Sequence, residues 1–471
     1  MRKVLLISLS IFALAFAGDD DVRARFVYTY YSGDFLKAHE QLSAAFSDPI
    51  LKQIWEERLH HQSEQLKECT YDQSSTAGTR GFAVLKTGDI EAASKIFEDD
   101  WLSFLGKSTI AVYKNENSLA REYALKAIEL APERPEPYFF AGNLSRSTDE
   151  STGHFLKYLA LVKEDPYRKQ TVEYAVQFMN RTRGMELNIP SKLEGAEELE
   201  SKLEDGRLLV KANIDGGKKI TLLVDTGAGG LTLKSKKWNP KVETDLLFFG
   251  IGKKPVTKGS RVVLTDFHAG QFNVRNPVAS ISENMSADGI DGIVGTAFFS
   301  AGNVMLVPMK SGHKFTLFNA NSDYTKQIDS KNFREKIEVP FLLAGKMVMI
   351  KGTIRNSPPL DFLLDTGGQR TIISALAAKR YARINYPLSH SMKQTTPLSG
   401  VGGRMDDVLV AENVSIQAGP LRKEFNLISV VNLAEGSESM DLEMGGILGR
   451  DILQNYTMMI DYDKRTVTFL R

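Results

Sequence analysis

One sequence pattern occurs twice in the second half of the chain, and this repeat constrains the fold more than any other feature. In each copy an apolar stretch ends at Asp-Thr-Gly and a second apolar stretch begins a few residues later; the copies are residues 221–233 and 361–373. Further along, Gly-Ile-Val-Gly at 292–295 matches Gly-Ile-Leu-Gly at 446–449. A single Asp-Thr-Gly is expected by chance, whereas two copies with the same flanking elements predict two related β lobes.

With these motifs the second half resembles the retropepsin-like and pepsin-like aspartic peptidases, in the bacterial form that carries both lobes in one chain. The resemblance covers about residues 205–471. It implies an all-β bilobal acid-protease fold, in which each lobe presents one Asp-Thr-Gly and the two carboxylates meet at the lobe interface.

The candidate catalytic residues are therefore Asp225 and Asp365. Two carboxylates about 3 Å apart cannot both ionise, so they share one proton and can serve as base for a water molecule and as acid for the substrate carbonyl. This chemistry hydrolyses a peptide bond without a cofactor, a metal ion or a covalent nucleophile. We expect none of these groups to be required.

Other residues of the motifs are expected to support the catalytic loops. Gly227 and Gly367 would permit the tight turn that presents each carboxylate, and the resemblance implies that the hydroxyls of Thr226 and Thr366 bind the opposite loop. The elements expected to pack behind the loops are Ile293, Val294 and Gly295 in the first lobe and Ile447, Leu448 and Gly449 in the second. Arg450, which follows the second element, is the residue that retropepsins use as a brace; Thr296 takes its place in the first lobe.

Two glycine-rich segments follow the two aspartates. They contain Gly250 and Gly252 in the first lobe, and Gly400, Gly402 and Gly403 in the second. Glycine would supply mobility and allow close approach to a bound peptide strand, which favours a pair of retropepsin-like flaps. The alternative interpretation is that both are ordinary hairpin turns.

The first half of the chain is predicted to be helical, because apolar residues recur at spacings of three and four. Gly-Asp turns at 33–34 and 88–89 are each followed by an amphipathic helix that the aspartate can cap. The phrase from Ser118 to Pro132, with Ala120 and Ala127 on one face, resembles the second helix of a tetratricopeptide repeat. We expect a helical-repeat-like domain over residues 18–189, or else a generic helical domain.

The N-terminus predicts export. Arg2 and Lys3 precede an apolar run over residues 4–16, and Ala-Phe-Ala at 15–17 offers a cleavage site, so residues 1–17 are expected to be a signal peptide. The single cysteine, Cys69, suits an oxidising compartment. The mature protein is expected in the periplasm or outside the cell, without a membrane span.

The charge balance of the sequence narrows the classes of partner that we expect. Lys and Arg number 59 against 58 Asp and Glu, so no overall basic field would attract nucleic acid. The expected partners are a peptide or protein substrate and a protein held by the helical domain. The predicted domains are the helical domain, a linker over 190–204, and two lobes over 205–334 and 335–471. A different class of function also fits the sequence: a catalytically silent periplasmic peptide-binding or scaffolding protein, in which the paired motifs are structural turns.

Overall fold

The computed structural model describes residues 22–62, 75–163, 166–234, 238–249, 256–282, 285, 289–329, 333–385, 398–400, 403–405 and 408–471. The predicted signal peptide, Cys69, Gly250, Gly252 and Gly402 lie outside these residues.

Helices dominate the first half of the described chain. The helices are α1 (Val22–Tyr31), α2 (Phe35–Ala45), α3 (Pro49–Gln62), α4 (Ala77–Lys86), α5 (Ile90–Ile96), α6 (Trp101–Tyr113), α7 (Asn117–Leu130), α8 (Pro135–Leu144), α9 (Thr148–Leu161), α10 (Pro166–Arg181), α11 (Tyr324–Asp329), α12 (Ala375–Tyr381), α13 (Ala434–Met440) and α14 (Arg450–Leu453). A short 3-10 helix spans Thr296–Phe298.

Strands make up most of the second half. Those of the first lobe and the segment before it are β1 (Ile189–Pro190), β2 (Ala196–Glu198), β3 (Ser201–Glu204), β4 (Arg207–Ile214), β5 (Lys218–Asp225), β6 (Leu231–Leu233), β7 (Val242–Phe249), β8 (Val256–Val263), β9 (Asp266–Ala269), β10 (Phe272–Arg275), β11 (Val278–Ile281), β12 (Gly292–Gly295), β13 (Asn303–Pro308) and β14 (Thr316–Asn319). Those of the second lobe are β15 (Lys336–Pro340), β16 (Leu342–Ala344), β17 (Met347–Ile354), β18 (Leu360–Leu364), β19 (Ile372–Ser374), β20 (Arg383–Asn385), β21 (Leu398–Gly400), β22 (Gly403–Met405), β23 (Leu409–Ala418), β24 (Leu421–Val431), β25 (Met444–Leu448), β26 (Thr457–Asp461) and β27 (Thr466–Leu470).

In the helical half, the structure contains the predicted aspartate caps and the predicted contact face of α7. Asp34 accepts a hydrogen bond from the backbone N–H of Lys37 at the start of α2, and Asp89 accepts one from Ala92 at the start of α5. The glycines before them have positive φ angles, as a chain reversal into a new helix requires. On α7, Ala120 is fully buried between the neighbouring helices. Short side chains there allow the helices to approach closely.

Both lobes follow one strand plan. In the first sheet the strands lie in the order β1-β10-β9-β4-β5-β12-β6-β11-β8-β7, with β3 also on β4; in the second the order is β16-β17-β18-β25-β19-β24-β23-β20. The run from β4 to β7 corresponds strand for strand to the run from β17 to β20, including the parallel pairs β5–β12 and β18–β25. The sequence of buried and exposed residues is the same along β4 and β17. The sequence repeat is therefore a repeat of folded structure, and the predicted order of an all-α half followed by an all-β bilobal half is confirmed.

A third sheet joins the lobes. Its order is β15-β27-β26-β13-β14-β2. The second lobe supplies β15, β27 and β26, and the first lobe with the segment before it supplies β13, β14 and β2. At its centre β13 pairs antiparallel with β26, with Met305 opposite Ile460. The two lobes are thus hydrogen-bonded into one sheet.

The segment predicted as a linker is part of the β structure. Strand β1 pairs with β10, β2 pairs with β14 and β3 pairs with β4. Its charged composition suggested coil or helix, but alternating exposure along β2 and β3 is typical of edge strands. Charged side chains are common at sheet edges because they discourage pairing with other chains.

The helical half shares a hydrophobic core with the second lobe. One continuous cluster of buried side chains includes Phe140 and Phe155 from the helices and Met349, Leu363 and Ile447 from β17, β18 and β25. The helices therefore complete the hydrophobic core of the second lobe.

Within the described ranges, no helix has both the length and the apolar character needed to cross a membrane.

Candidate active site

The fold brings the two predicted catalytic aspartates together. Asp225 is the last residue of β5, and Asp365 directly follows β18. Each loop is supported from behind by a parallel strand: Gly295 of β12 lies opposite Asp225, and Leu448 of β25 accepts a 3.0 Å hydrogen bond from the backbone N–H of Asp365. Because each lobe contributes one carboxylate, the site exists only where both lobes meet.

The two carboxylates are coupled electrostatically. Burial raises the pKa of Asp225 well above its usual value, and the charge of Asp365 and a hydrogen bond between the two side chains raise it further. The backbone N–H groups of Gly227 and Gly367 partly oppose this rise in pKa, since they stabilise the ionised form of Asp225. The N–H of Gly227 donates to Oδ1 of Asp225 at 2.7 Å. In the other loop, the N–H of Gly368 donates to Oδ1 of Asp365, also at 2.7 Å. The arrangement holds one proton between two acids.

The motif glycines are needed for space. A Cβ atom on Gly367 would lie 2.5 Å from Oδ2 of Asp225, and one on Gly227 would lie 3.1 Å from Cγ of Asp365. We predicted that these glycines permit a tight turn, but neither has a positive φ angle. The missing side chain lets each loop approach the carboxylate of the opposite lobe.

The motif threonines connect the two loops, as the sequence predicted. The backbone N–H of Thr226 donates to Oγ1 of Thr366, and the N–H of Thr366 donates to Oγ1 of Thr226, both at 3.0 Å. Each hydroxyl in turn donates to a carbonyl of the opposite lobe, that of Leu364 or that of Val224. Both threonines are fully buried, so this reciprocal set of bonds fixes the separation of the aspartates.

Strands β12 and β25 lie behind the two loops. Val294 and Leu448 are fully buried, and Ile293 and Ile447 lie beside them on the same strands. A Cβ on Gly295 would lie only 2.0 Å from the carbonyl oxygen of Ala228.

Gly449 donates its N–H to Oγ1 of Thr371, and Asp451 accepts from the same threonine. Arg450 reaches the first lobe, where it donates to the carbonyl of Asp205 at 2.8 Å.

In the first lobe, a contact with a tyrosine of the second lobe corresponds to the contact of Arg450. The hydroxyl of Thr296, which takes the place of Arg450, lies 2.8 Å from the hydroxyl of Tyr462 at the end of β26. Sequence reasoning missed Tyr462 and Asp205 because no local pattern marks them. Both act across the lobe junction, at sequence distances that only the fold connects.

The glycine-rich segments occupy corresponding places in the two lobes. One lies between β7 and β8, which pair along their whole length up to Phe249 and Val256, and its tip lies outside the described residues. The other lies between β20 and β23, where β21 and β22 form a hairpin with Gly400 opposite Gly403. The described strands that flank each segment pair antiparallel, which the flap and the turn interpretations alike require. Their role over a substrate stays a prediction.

No protein-family model matches the sequence, and no curated protein matches it either. Among solved structures, this chain is similar to the crystal structure of an aspartic proteinase from Irpex lacteus, over 58% of this chain and 97% of that chain. The sequence identity is 13% and the TM-score is 0.38. A similarity this distant carries no functional argument. The proposal below depends on the doubled motif and on the geometry of the two aspartates.

Proposed function

We propose that this protein is an aspartic endopeptidase. The observation that carries the proposal is the pair Asp225 and Asp365, contributed by two lobes, joined by a hydrogen bond and buried so that the pKa of Asp225 is raised. One carboxyl group then stays protonated while its neighbour is ionised, which is the state that acid–base hydrolysis requires.

The chemistry follows from that state. The ionised carboxylate removes a proton from a water molecule, whose oxygen attacks the peptide carbonyl carbon. The protonated carboxyl group donates to the carbonyl oxygen, and a tetrahedral diol forms. When the diol collapses, the carboxyl group that took the proton from water donates it to the leaving nitrogen and the C–N bond breaks. One diol hydroxyl returns its proton to the ionised carboxylate as it becomes the carbonyl of the new carboxyl terminus, so the dyad again holds one proton. The titration belongs to the pair rather than to either residue.

The test is cleavage of a mixed peptide library between acid and neutral pH, with mass-spectrometric detection. Asp225→Asn and Asp365→Asn should each abolish cleavage while the thermal melt stays cooperative, because either change removes the shared ionisation. Asp99→Asn is the control, since the Asp99 side chain is 93% exposed on the helical half. Turnover by both dyad variants at the wild-type rate would show that these aspartates are not catalytic.

Export and recruitment complete the proposal. Removal of residues 1–17 would deliver the enzyme to the periplasm or the exterior, where the retropepsin-like pair of flaps would cover an extended peptide. The helical half would recruit a protein substrate or partner, as paired helices in repeat proteins do. The support for this part is the sequence: the charged and apolar order of the N-terminus, and the repeat-like phrase that ends at Pro132.

A further inference from the structure

The two lobes contain an equivalent lysine pair that they use differently. In the first lobe Lys211 on β4 lies opposite Thr221 on β5, and its Nζ donates to the threonine hydroxyl at 2.6 Å. In the second lobe Lys351 on β17 lies opposite Asp361 on β18, and its Nζ donates to Oδ2 at 2.7 Å. The first pair is exposed to solvent, whereas Asp361 is only 1% exposed.

The helical half lies against the second pair, in which Asp361 is buried and the Lys351 side chain is 41% exposed. Lys351 also donates to the carbonyl of Gly88, in the turn between α4 and α5, at 2.9 Å. A Cβ on Gly88 would lie 2.3 Å from Oδ2 of Asp361. The turn is therefore packed directly against the carboxylate at the start of β18, four residues before Asp365.

A second group of contacts holds the segment that leads into β25. Lys86 at the end of α4 forms buried ion pairs with Asp441 and Glu438, and its carbonyl accepts a 2.8 Å hydrogen bond from the N–H of Glu443. The hydroxyl of Tyr113 on α6 donates to the carbonyl of Asp441 at 3.0 Å. The residues between α13 and β25 are thus bonded to two helices.

Arg58 on α3 adds a third support. Its guanidinium, 1% exposed, binds Glu438 at 3.1 Å and Glu443 at 3.0 Å, and these acids also accept hydrogen bonds from Tyr31 and Tyr30. Burial alone would raise the pKa of Glu438, but Lys86 and Arg58 lower it overall. Such a network is costly to break one member at a time, because a buried charge then loses its partner.

Strands β18 and β25 lead from these contacts to the dyad. Asp361 lies opposite Met444 where the two strands begin, and at their far end the N–H of Asp365 bonds to Leu448. At about 3.3 Å per residue, the distance from Asp361 to Asp365 is about 13 Å. The register of this pair shifts between Asp361 and Phe362, and from Phe362 to Leu364 the pairing is continuous. A displacement of Asp361 would therefore reach Asp365 along β18.

We propose that the helical half is a positioning element for Asp365, and that Lys351 and Asp361 are the positioning residues through which it acts. The inference rests on the proposed peptidase function. Together they hold the start of β18 against the turn at Gly88. In the first lobe the corresponding residues, Lys211 and Thr221, bond to each other at an exposed position.

The test compares Lys351→Met with Lys211→Met in the full chain, using a peptide that the wild type cleaves. Lys351→Met should lower kcat about tenfold with KM within twofold, because small displacements of a catalytic group cost rate rather than binding. The upper limb of its pH profile should move to lower pH, since a looser contact with Asp365 raises the pKa of Asp225 less. Lys211→Met should leave kcat and the pH profile unchanged. Lys351→Arg, which keeps the charge, should recover kcat to within threefold.

Rates are normalised to the folded fraction from thermal melts. If Lys351→Met does not fold, Asp361→Thr gives the second lobe the pair of the first lobe and should show the same loss of kcat and the same pH shift. A folded Lys351→Met or Asp361→Thr with wild-type kcat and pH profile, even with a lower melting temperature, would overturn the inference alone. An inactive wild type would overturn the proposed function, and the inference with it.

Discussion

At Gly367 the active site depends on the absence of a side chain. Gly367→Ala should lower turnover at least about 100-fold, because a Cβ 2.5 Å from Oδ2 of Asp225 must displace that carboxylate. Gly230→Ala is the matched control: no atom lies within 4 Å of its added Cβ, so turnover should stay within twofold. Peptide hydrolysis by the two variants measures this, and equal rates would mean that the loop has room to spare.

The raised pKa of Asp225 also predicts a pH dependence of stability. The folded state holds the proton to higher pH than the unfolded chain, in which the pKa is near 4. This contribution to the free energy of unfolding is complete below about pH 4 and is lost as pH rises through the folded value. Asp225→Asn should therefore lose less stability than the wild type between pH 4 and 7, as measured by urea denaturation. Parallel curves for the two proteins would contradict the pKa direction.

The pH dependence of activity should reflect both carboxyl groups of the dyad. The rate requires one ionised and one protonated carboxyl group, so kcat/KM should be bell-shaped in pH. The residues after the two motifs, Ala228 and Gly368, have no hydroxyl to stabilise an ionised aspartate, which favours a mildly acidic optimum. A pH–rate series checks this, and a rate that rises steadily through pH 9 would contradict a carboxyl mechanism.

How much of the site the sequence predicts depends on how local each residue's role is. Asp225 and Asp365 were predicted from the doubled motif, and the contacts of the two threonines from the resemblance that the motif carries. The role of Gly367 was predicted as backbone freedom, whereas the structure shows a close approach to the opposite lobe. Such an approach involves two loops 140 residues apart, and no local pattern contains that information.

At the scale of single elements, the caps of the helical half are testable. Asp89→Ala should lower the free energy of unfolding by about 1 kcal/mol, because the N-terminal amide of Ala92 in α5 loses its acceptor. Denaturant unfolding at neutral pH measures the difference. Asp34→Ala at α2 is the matched control and should cost a similar amount. A larger loss at Asp89 would show that α5 carries stability for the second lobe as well.

Periodicity found the helices and most strands, since both are local patterns. It failed over residues 190–204, where charge and a proline indicated a linker. Those residues form strands by pairing with β4, β10 and β14, which are distant from them or beside them in the sequence. Pairing of that kind is a property of the tertiary fold, so the single segment could not reveal it.

For the whole molecule, the shared core predicts that the β half depends on the helices. The sequence instead predicted a linker over residues 190–204, between the helical domain and the lobes. A chain that begins at residue 187, and so keeps β1 to β3, would expose Met349, Leu363 and Ile447 and leave Glu438 without Arg58. We expect it to lack a cooperative thermal melt. A single transition at the wild-type temperature, with full peptide turnover, would show instead that the second lobe closes its own core.

The contacts of Arg58 and Tyr30 also set an order of events during synthesis. Tyr30 and its partner Glu443 are 413 residues apart, and Arg58 and Glu443 are 385 apart. A ribosome adds residues at roughly 5–20 per second. The first helices are therefore synthesised tens of seconds before their acidic partners. The dyad is completed at Asp365, yet the strand behind it arrives only with residues 444–448. Under the proposed function, a nascent chain would acquire its hydrolytic site only after residues 444–448 have been made.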